Sequence, residues 1–253
     1  MTDLILPNII GHRGCKGYAP ENTLEGIHTA ADMGVKWVEL DVKLTRDQVP
    51  IIFHDEMCDR TTDTSGPISL LTYDEMKELD AGSWFGESFI GAKIPTLEEA
   101  VDVLIERGLG LNLEIKPCPS REKETAEAAL DVLSTIWDDH QNLLISSFSH
   151  VSLEVAQDMA ETWHRGFLLP DHTQEDWIEN WQEMARHLGV STVNLNGNTV
   201  TRELVEDALD LELPVLAYTI NEPDRGRFLQ SWGVDGFFSD VPDVLQESLF
   251  VVH

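Results

Sequence analysis

The sequence predicts an α/β protein with the architecture of a TIM (β/α)8 barrel. Short apolar runs alternate with amphipathic stretches along the chain, which is the pattern of a parallel sheet with helical crossovers. About eight such repeats fit into 253 residues, the usual size of this barrel. A doubly wound open sheet is the alternative. It usually carries G-x-G-x-x-G after its first strand, whereas Gly11-His12-Arg13-Gly14 stands here.

The candidate strands are short runs rich in Ile, Val, Leu and Phe, which favour a buried pleated sheet. In chain order they cover residues 8–11, 37–42, 49–53, 110–115, 143–147, 165–169, 192–195, 215–219 and 236–238.

Amphipathic stretches with helical spacing fill the intervals between strands. They cover residues 23–33, 96–107, 120–137, 152–162, 175–188, 201–211 and 224–232. Several begin at residues whose side chains suit an N-cap, namely Thr23, Thr96, Ser120, Thr201 and Asn221. Glycines follow four of them where a left-handed C-cap is expected, namely Gly34, Gly108, Gly189 and Gly233.

The segment 56–95 interrupts this alternation. It is rich in Thr, Ser, Gly and aromatic residues, as in RTTDTSG and AGSWFGESF. We interpret it as a small inserted cap over the barrel mouth, within a single domain that covers residues 1–253.

The charge balance argues against several classes of partner. Lys and Arg number 17 against 46 Asp and Glu, for a formal net charge of −29, which disfavours nucleic acid and anionic membranes. No run approaches the roughly 18 apolar residues of a membrane span, and the N-terminal residues do not resemble a signal peptide. We therefore expect a cytoplasmic protein without a stable membrane anchor.

The three cysteines do not suggest a disulfide framework.

Two candidate strands carry charged residues at alternate positions, and alternate residues of a strand share a face. In WVELDVKL these are Glu39, Asp41 and Lys43, and in LNLEIK they are Glu114 and Lys116. Buried charges are costly unless they are paired or bind a metal. The three carboxylates make an oxygen site suited to Mg²⁺ or Ca²⁺, with salt bridges to the two lysines as the alternative.

Two histidines follow other candidate strands, His12 after NIIG and His54 after PIIF. Histidine is suited to proton transfer near neutral pH. Arg13 and Lys116 add cations that suit phosphate oxygens. A metal, two cations and an acid–base pair together indicate phosphodiester cleavage.

The motifs GHRGCKGYAPENT, VELDVKLTRDQVPIIFHDE, RTTDTSG, IPTLEEA, LEIKP, SSFS, YTIN and WGVDGFFSD occur in this order from His12 to Pro242. Together they resemble the glycerophosphodiester phosphodiesterase family, most closely its cytoplasmic bacterial members. The resemblance implies a TIM barrel with a small insertion after the second strand. It also implies a divalent metal on the residues that match the family's ligands, namely Glu39, Asp41 and Glu114.

The resemblance further implies that His12 and His54 are the acid–base pair and that Arg13 and Lys116 contact phosphate. Tyr218 stands where many members carry a substrate-facing tryptophan, so it is either a substrate-binding residue or a packing aromatic.

Three further residues lie beside the two histidines in the same motifs. Glu21 and Asn22 belong to P-E-N-T and either support His12 or cap a helix, and Asp55 either orients His54 or forms a turn.

The activity that we expect is metal-dependent hydrolysis of glycerophosphodiesters to sn-glycerol 3-phosphate and an alcohol, within lipid and glycerol metabolism. His12 is the expected base and His54 the expected acid, although these roles could be exchanged. A phosphodiester lyase on the same barrel and a noncatalytic barrel are the rival interpretations. The head group, the metal, the attacking oxygen and the formation of a homodimer stay open.

Overall fold

In the computed structural model, which describes residues 3–250, eight parallel strands close into a barrel. The strands in chain order are β1 (Ile9–Gly11), β2 (Trp37–Leu44), β3 (Pro50–Ile52), β4 (Gly110–Ile115), β5 (Leu143–Ser147), β6 (His164–Leu168), β7 (Thr192–Asn196), β8 (Val215–Tyr218) and β9 (Gly236–Ser239). Neighbours follow the order β1-β9-β8-β7-β6-β5-β4-β2, and the pairing of Gly11 with Val38 joins β1 to β2. The predicted TIM (β/α)8 barrel is confirmed.

β3 lies outside this parallel barrel. It pairs antiparallel with β2, with Leu44 opposite Pro50 and Val42 opposite Ile52. The hairpin brings the chain back to the carboxyl end of β2, where the N–H of Phe53 donates to the carbonyl of Asp41 at 2.9 Å. The predicted strand before His54 is therefore confirmed as β3, and the hairpin brings this histidine to the barrel mouth.

Helices fill the connections between the barrel strands. They are α1 (Leu24–Asp32), α2 (Tyr73–Met76), α3 (Leu97–Arg107), α4 (Glu122–Ile136), α5 (His150–Met159), α6 (Trp181–His187), α7 (Arg202–Leu209), α8 (Pro223–Trp232) and α9 (Pro242–Leu249). The hydroxyls of Thr23, Thr96 and Thr201 accept N-cap hydrogen bonds as predicted. None of the helices in residues 3–250 has the length and apolarity to cross a membrane.

Two predicted caps are wrong. Ser120 has a left-handed φ of 66°, and α4 begins only after Arg121, which makes no side-chain capping bond. Glu222 is the N-cap of α8, because Pro223 fits the first helical position. The side chain of Asn221 instead bonds an aspartate beyond β9.

One helix begins later than predicted, and another was not predicted. Residues 175–180 form turns, and α6 begins only at Trp181. Trp177 and Ile178 pack against the core from these turns, so their apolar character did not require a helix. The last helix, α9, was not predicted.

The barrel strands pack their apolar faces against the helices. Val38, Leu40 and Val42 of β2 belong to this outer core. Within the barrel, apolar side chains from several strands form a separate cluster, namely Ile10, Trp37, Leu144, Leu216 and Phe238. Because a strand alternates its faces, the remaining inward positions of β2 and β4 are available for polar residues.

The segment 53–96 between β3 and α3 forms a small core with adjoining residues. Its buried members are Ile51, Phe53, Cys58, Ile68, Met76, Ala81, Ile94 and Cys118. Asp55 and Glu56 border a groove whose other wall includes Glu114 and Lys116. The beginning of this segment therefore adjoins the carboxyl ends of the barrel strands.

Candidate active site

Three buried carboxylates converge at the carboxyl ends of β2 and β4. Glu39 and Asp41 lie on the same face of β2, and the parallel register places Asp41 opposite Glu114 of β4. One oxygen from each carboxylate lies within 4.8 Å of the others. The structure therefore brings together the three residues that the sequence predicts as metal ligands.

Two of these carboxylates keep one oxygen without a hydrogen-bond partner. The N–H of Arg13 donates to Glu39 Oε2 at 2.9 Å, and the amide of Asn22 donates to Asp41 Oδ2 at 2.8 Å. Glu39 Oε1 and Asp41 Oδ1 are buried and have no hydrogen-bond partner within residues 3–250. Because an unpaired buried carboxylate oxygen is costly, and because hard cations prefer oxygen ligands, the site fits a divalent cation.

The predicted alternative, a salt bridge to lysine, is present but does not satisfy the cluster. Lys116 Nζ donates to Glu114 Oε1 at 2.7 Å and lies 3.9 Å from Asp41 Oδ1. Lys43 donates instead to the backbone carbonyl of Lys116 at 2.9 Å. Lys116 thus contacts two of the three carboxylates and leaves Glu39 to the backbone N–H of Arg13.

The pKa values of the cluster reflect this shortage of positive charge. Burial, reinforced by the charge of Asp41, raises the pKa of Glu39 well above its usual range. Burial also raises the pKa of Glu114 to about 7. Burial opposes ionisation of Asp41 as well, but Arg13 and Lys116 hold the pKa of Asp41 below its usual range. A bound cation would therefore favour the ionised forms of Glu39 and Glu114.

His12 lies directly after β1 between two carboxylates. Its Nδ1 is 2.6 Å from Asp240 Oδ1, and its Nε2 is 3.9 Å from Glu39 Oε2. The amide of Asn221 donates to the other oxygen of Asp240 at 2.8 Å. A carboxylate at Nδ1 favours a proton there and leaves Nε2 as the acceptor. Burial lowers the pKa of His12, which favours this neutral form.

His54 has an equivalent arrangement with a different support. Its Nδ1 is 2.6 Å from Asp55 Oδ1, so Asp55 orients the ring, as one of the two sequence interpretations proposed. Arg60 holds Asp55 in turn, with Nε donating to Oδ2 at 2.7 Å. Burial lowers the pKa of His54 to about 4.

A cavity of about 140 Å³ joins most of the predicted site residues. Its lining includes His12, Arg13, Glu39, His54, Asn112, Glu114, Lys116, Phe148 and Tyr218. A wider groove of about 800 Å³ adjoins it along the inserted segment. His54, Glu114, Lys116 and Phe148 border both spaces, whereas His12 borders the smaller one.

Arg13 and Tyr218 line the small cavity, and each makes a hydrogen bond to another part of the protein. Arg13 donates to Glu21 at 2.7 Å, and its Nε lies 3.4 Å from Asp41 Oδ2. The Tyr218 hydroxyl donates to the carbonyl of Leu169 at 2.5 Å. Tyr218 therefore presents its ring rather than its hydroxyl to the cavity.

Both roles proposed for the two P-E-N-T residues are wrong, because neither residue contacts His12 and the N-cap of α1 is Thr23. Glu21 binds Arg13 and Arg60. Asn22 donates to the side chain of Asp41 and accepts from the Asp41 N–H at 3.2 Å. Both residues therefore organise charged groups beside the carboxylate cluster.

Sequence reasoning missed Asp240 and Arg60. Both lie in the motifs that carry the resemblance, since Asp240 ends WGVDGFFSD and Arg60 begins RTTDTSG. A polar residue directly after a barrel strand is a usable signal for Asp240. We find no local pattern that identifies Arg60, because its partner Glu21 lies 39 positions away.

Comparison with known proteins gives a consistent result. The sequence model of the Glycerophosphoryl diester phosphodiesterase family matches residues 12–244. Glycerophosphodiester phosphodiesterases of Caldanaerobacter subterraneus and Bacillus altitudinis are 32% and 31% identical, over 94% of this chain and 95% and 96% of theirs. A phosphodiesterase of Oleispira antarctica, solved in complex with the product sn-glycerol-3-phosphate, is 39% identical. Its TM-score is 0.91, with 97% of this chain and 98% of that chain covered.

Proposed function

Because the chain belongs to the glycerophosphoryl diester phosphodiesterase family of hydrolases, we propose that it cleaves glycerophosphodiesters to sn-glycerol 3-phosphate and an alcohol. We further propose that cleavage depends on a divalent cation, Mg²⁺ or Ca²⁺, held by Glu39, Asp41 and Glu114. One observation carries the proposal. Glu39 and Glu114 of the carboxylate cluster line the same small cavity as the two carboxylate-bound histidines, and Asp41 completes the cluster.

The two adjoining spaces suggest how the substrate lies. We propose that the glycerol phosphate part occupies the cavity of about 140 Å³ and that the alcohol extends into the groove of about 800 Å³. The Oleispira relative in complex with sn-glycerol-3-phosphate supports a glycerol phosphate site. Asn112 Oδ1 is buried and has no partner at the cavity wall, so it would accept a hydrogen bond from a glycerol hydroxyl.

Positive side chains would hold the phosphate group. Arg13 and Lys116 both border the small cavity, and each already balances carboxylates of the site. When bound, a divalent cation would neutralise the phosphate charge and so favour attack at phosphorus. Arg13 and Lys116 would then contact the remaining phosphate oxygens through charge-assisted hydrogen bonds.

His12 is the proposed general base. Its Nε2 has a free lone pair because Nδ1 binds Asp240, and its lowered pKa keeps the ring neutral. As Nε2 accepts the proton of the attacking oxygen, the carboxylate of Asp240 would stabilise the imidazolium that forms. Asn221 fixes Asp240 for this task.

His54 is the proposed general acid because it borders both the small cavity and the groove. That position places it between the phosphate and the departing alcohol. Without substrate its pKa is lowered to about 4, so it is neutral. We expect the anionic phosphate, together with Asp55, to favour the protonated form in the complex.

A coupled assay for glycerol 3-phosphate tests the proposal. Purified protein is incubated with glycerophosphocholine, glycerophosphoethanolamine and diglycerol phosphate, first in EDTA and then with added Mg²⁺ or Ca²⁺. We expect activity with at least one diester that is lost in EDTA and restored by metal. Glu206→Gln on the surface of α7 is the matched control for Glu39→Gln and should keep full activity. Full activity in EDTA would contradict metal dependence, and no activity on any diester would favour the noncatalytic barrel.

Product analysis separates hydrolysis from the lyase alternative. The attacking oxygen is either water or the glycerol 2-hydroxyl, and the second route passes through a cyclic phosphate. Phosphorus NMR of the reaction would detect a cyclic phosphate if it accumulates. We expect glycerol 3-phosphate as the final product. A cyclic phosphate that persists as the end product would establish a lyase.

We also propose that the protein acts in the cytoplasm on a free diester, as one domain with segment 56–95 as its cap. The net charge of −29 supports the absence of nucleic acid and anionic membrane partners. Cell fractionation tests the location, limited proteolysis tests the domain organisation, and light scattering tests whether a homodimer forms.

A further inference from the structure

Arg60 connects the inserted segment to the barrel through four hydrogen bonds. Its Nε and Nη2 donate to the two oxygens of Asp55 at 2.7 and 2.9 Å. Its Nη1 and Nη2 donate to the two oxygens of Glu21 at 2.7 Å each. One guanidinium thus donates to both oxygens of two carboxylates, because its N–H groups lie in one plane and point in the required directions.

The two carboxylates that Arg60 joins belong to different parts of the site. Asp55 follows β3 and accepts the Nδ1 proton of His54 at 2.6 Å. Glu21 follows β1, is buried, and binds Arg13, whose Nε lies 3.4 Å from Asp41. Charges therefore alternate along one continuous chain of contacts from a carboxylate of the barrel to the histidine.

The two histidines differ in how their carboxylates are fixed. Asp240, the partner of His12, directly follows barrel strand β9 and is held by Asn221. Asp55, the partner of His54, follows β3, which pairs antiparallel with β2 and lies outside the parallel barrel. The carboxylate partner of His54 therefore lacks the support from a barrel strand that the partner of His12 has.

We infer that Arg60 is a positioning residue, which fixes Asp55 against Glu21 and thereby holds the ring of His54 in line with the barrel carboxylates. This inference rests on the proposed role of His54 in phosphodiester cleavage. Lysine at this position would keep the charge but would lose the planar fork, so it could not bind both oxygens of Asp55 and Glu21. Arg60→Lys is thus the informative change.

The test measures turnover of Arg60→Lys in three backgrounds: the wild type, His12→Ala and His54→Ala. Each uses glycerophosphocholine and saturating Mg²⁺, or whichever diester and metal the wild type prefers. We expect kcat to fall by about 10²-fold in the first two backgrounds, the size of effect that misplacement of a reacting group by about 1 Å produces. KM should change little, because Arg60 does not line the small cavity. In the His54→Ala background, Arg60→Lys should not lower kcat further, since the ring that Arg60 positions is absent.

A purely structural role gives a different pattern, because a distorted site would lower kcat in all three backgrounds. Equal losses with and without His54, or wild-type kcat in Arg60→Lys, would overturn the inference. Wild-type kcat in His54→Ala alone would instead refute the proposed function of His54. Arg202→Lys is the matched control, because Arg202 forms one surface ion pair with Glu206, and it should leave kcat unchanged.

A second variant keeps the test decisive if Arg60→Lys does not fold. Asp55→Asn removes the carboxylate through which Arg60 acts and leaves the Arg60–Glu21 contact in place. We expect it to lower kcat in the wild type and to have no further effect in His54→Ala.

Nitrogen NMR of the His54 imidazole supplies an independent signature. In the wild type, the neutral His54 ring should carry its proton on Nδ1. A mixture of the two tautomers in the wild type would contradict the proposed positioning.

Discussion

Glu114→Gln should stabilise the metal-free protein and weaken its response to metal. The substitution keeps the shape of the side chain and removes one of three carboxylates whose oxygens lie within 4.8 Å of one another. Burial raises the pKa of Glu114 from 4.5 to about 7. At about 1.4 kcal/mol per pKa unit, holding this group ionised in the folded protein costs about 3 kcal/mol.

The sign of this effect depends on pH. A carboxyl group with a raised pKa in the folded state destabilises the fold above that pKa, and the penalty disappears as the pH falls towards the unfolded value of 4.5. At about pH 8 the glutamine variant should therefore be more stable by up to about 3 kcal/mol, and at about pH 5.5 by only about 1 kcal/mol. For a domain of this size, 3 kcal/mol corresponds to roughly 6–12 °C in Tm.

The assay is thermal unfolding of both proteins in EDTA and in excess Mg²⁺ or Ca²⁺, at both pH values. Metal should raise the Tm of the wild type more than that of Glu114→Gln, because the variant lacks one charged ligand. Glu206→Gln serves as the surface control. A variant that is less stable than the wild type in EDTA at about pH 8 would mean that the Lys116–Glu114 ion pair outweighs the cost of burying the ionised Glu114. Equal metal-induced shifts would exclude Glu114 as a ligand.

Further predictions concern the acid–base pair, metal binding and the scaffold. His12→Ala or His54→Ala should lower kcat by about 10²–10⁴-fold in the glycerol 3-phosphate assay, and near wild-type turnover in either would remove that residue from the mechanism. Metal affinity measured by calorimetry should fall as the pH drops through about 7, where Glu114 becomes protonated, and affinity independent of pH would contradict its assignment. Tyr218→Phe loses a hydrogen bond to a backbone carbonyl and should lose about 1 kcal/mol of stability in urea unfolding. Its turnover should hardly change, because the ring remains. Thr96→Ala removes a capping box and should cost about 1 kcal/mol with activity unchanged, so unaltered stability would show that the cap contributes nothing.

The sequence by itself determined the features that depend on local periodicity. The two-residue repeat of a strand places Glu39 and Asp41 on one face, and the same repeat in LNLEIK places Glu114 and Lys116 together. Alternating strands and helices predicted the barrel, and the hydroxyls of Thr23 and Thr96 marked helix starts correctly. Such features follow from contacts between residues a few positions apart.

Only the tertiary structure decided how distant segments support the histidines. β1 lies beside β9 because the barrel closes, and the His12 N–H consequently donates to the carbonyl of Ser239 at 2.8 Å, next to Asp240. Because β3 lies outside the parallel barrel, Asp55, the partner of His54, is bound by Arg60 and does not follow a barrel strand. The physical reason is the same in both cases. A carboxylate accepts from whichever donor the fold brings to it, and that donor may lie more than two hundred residues away, as Asp240 lies 228 positions from His12.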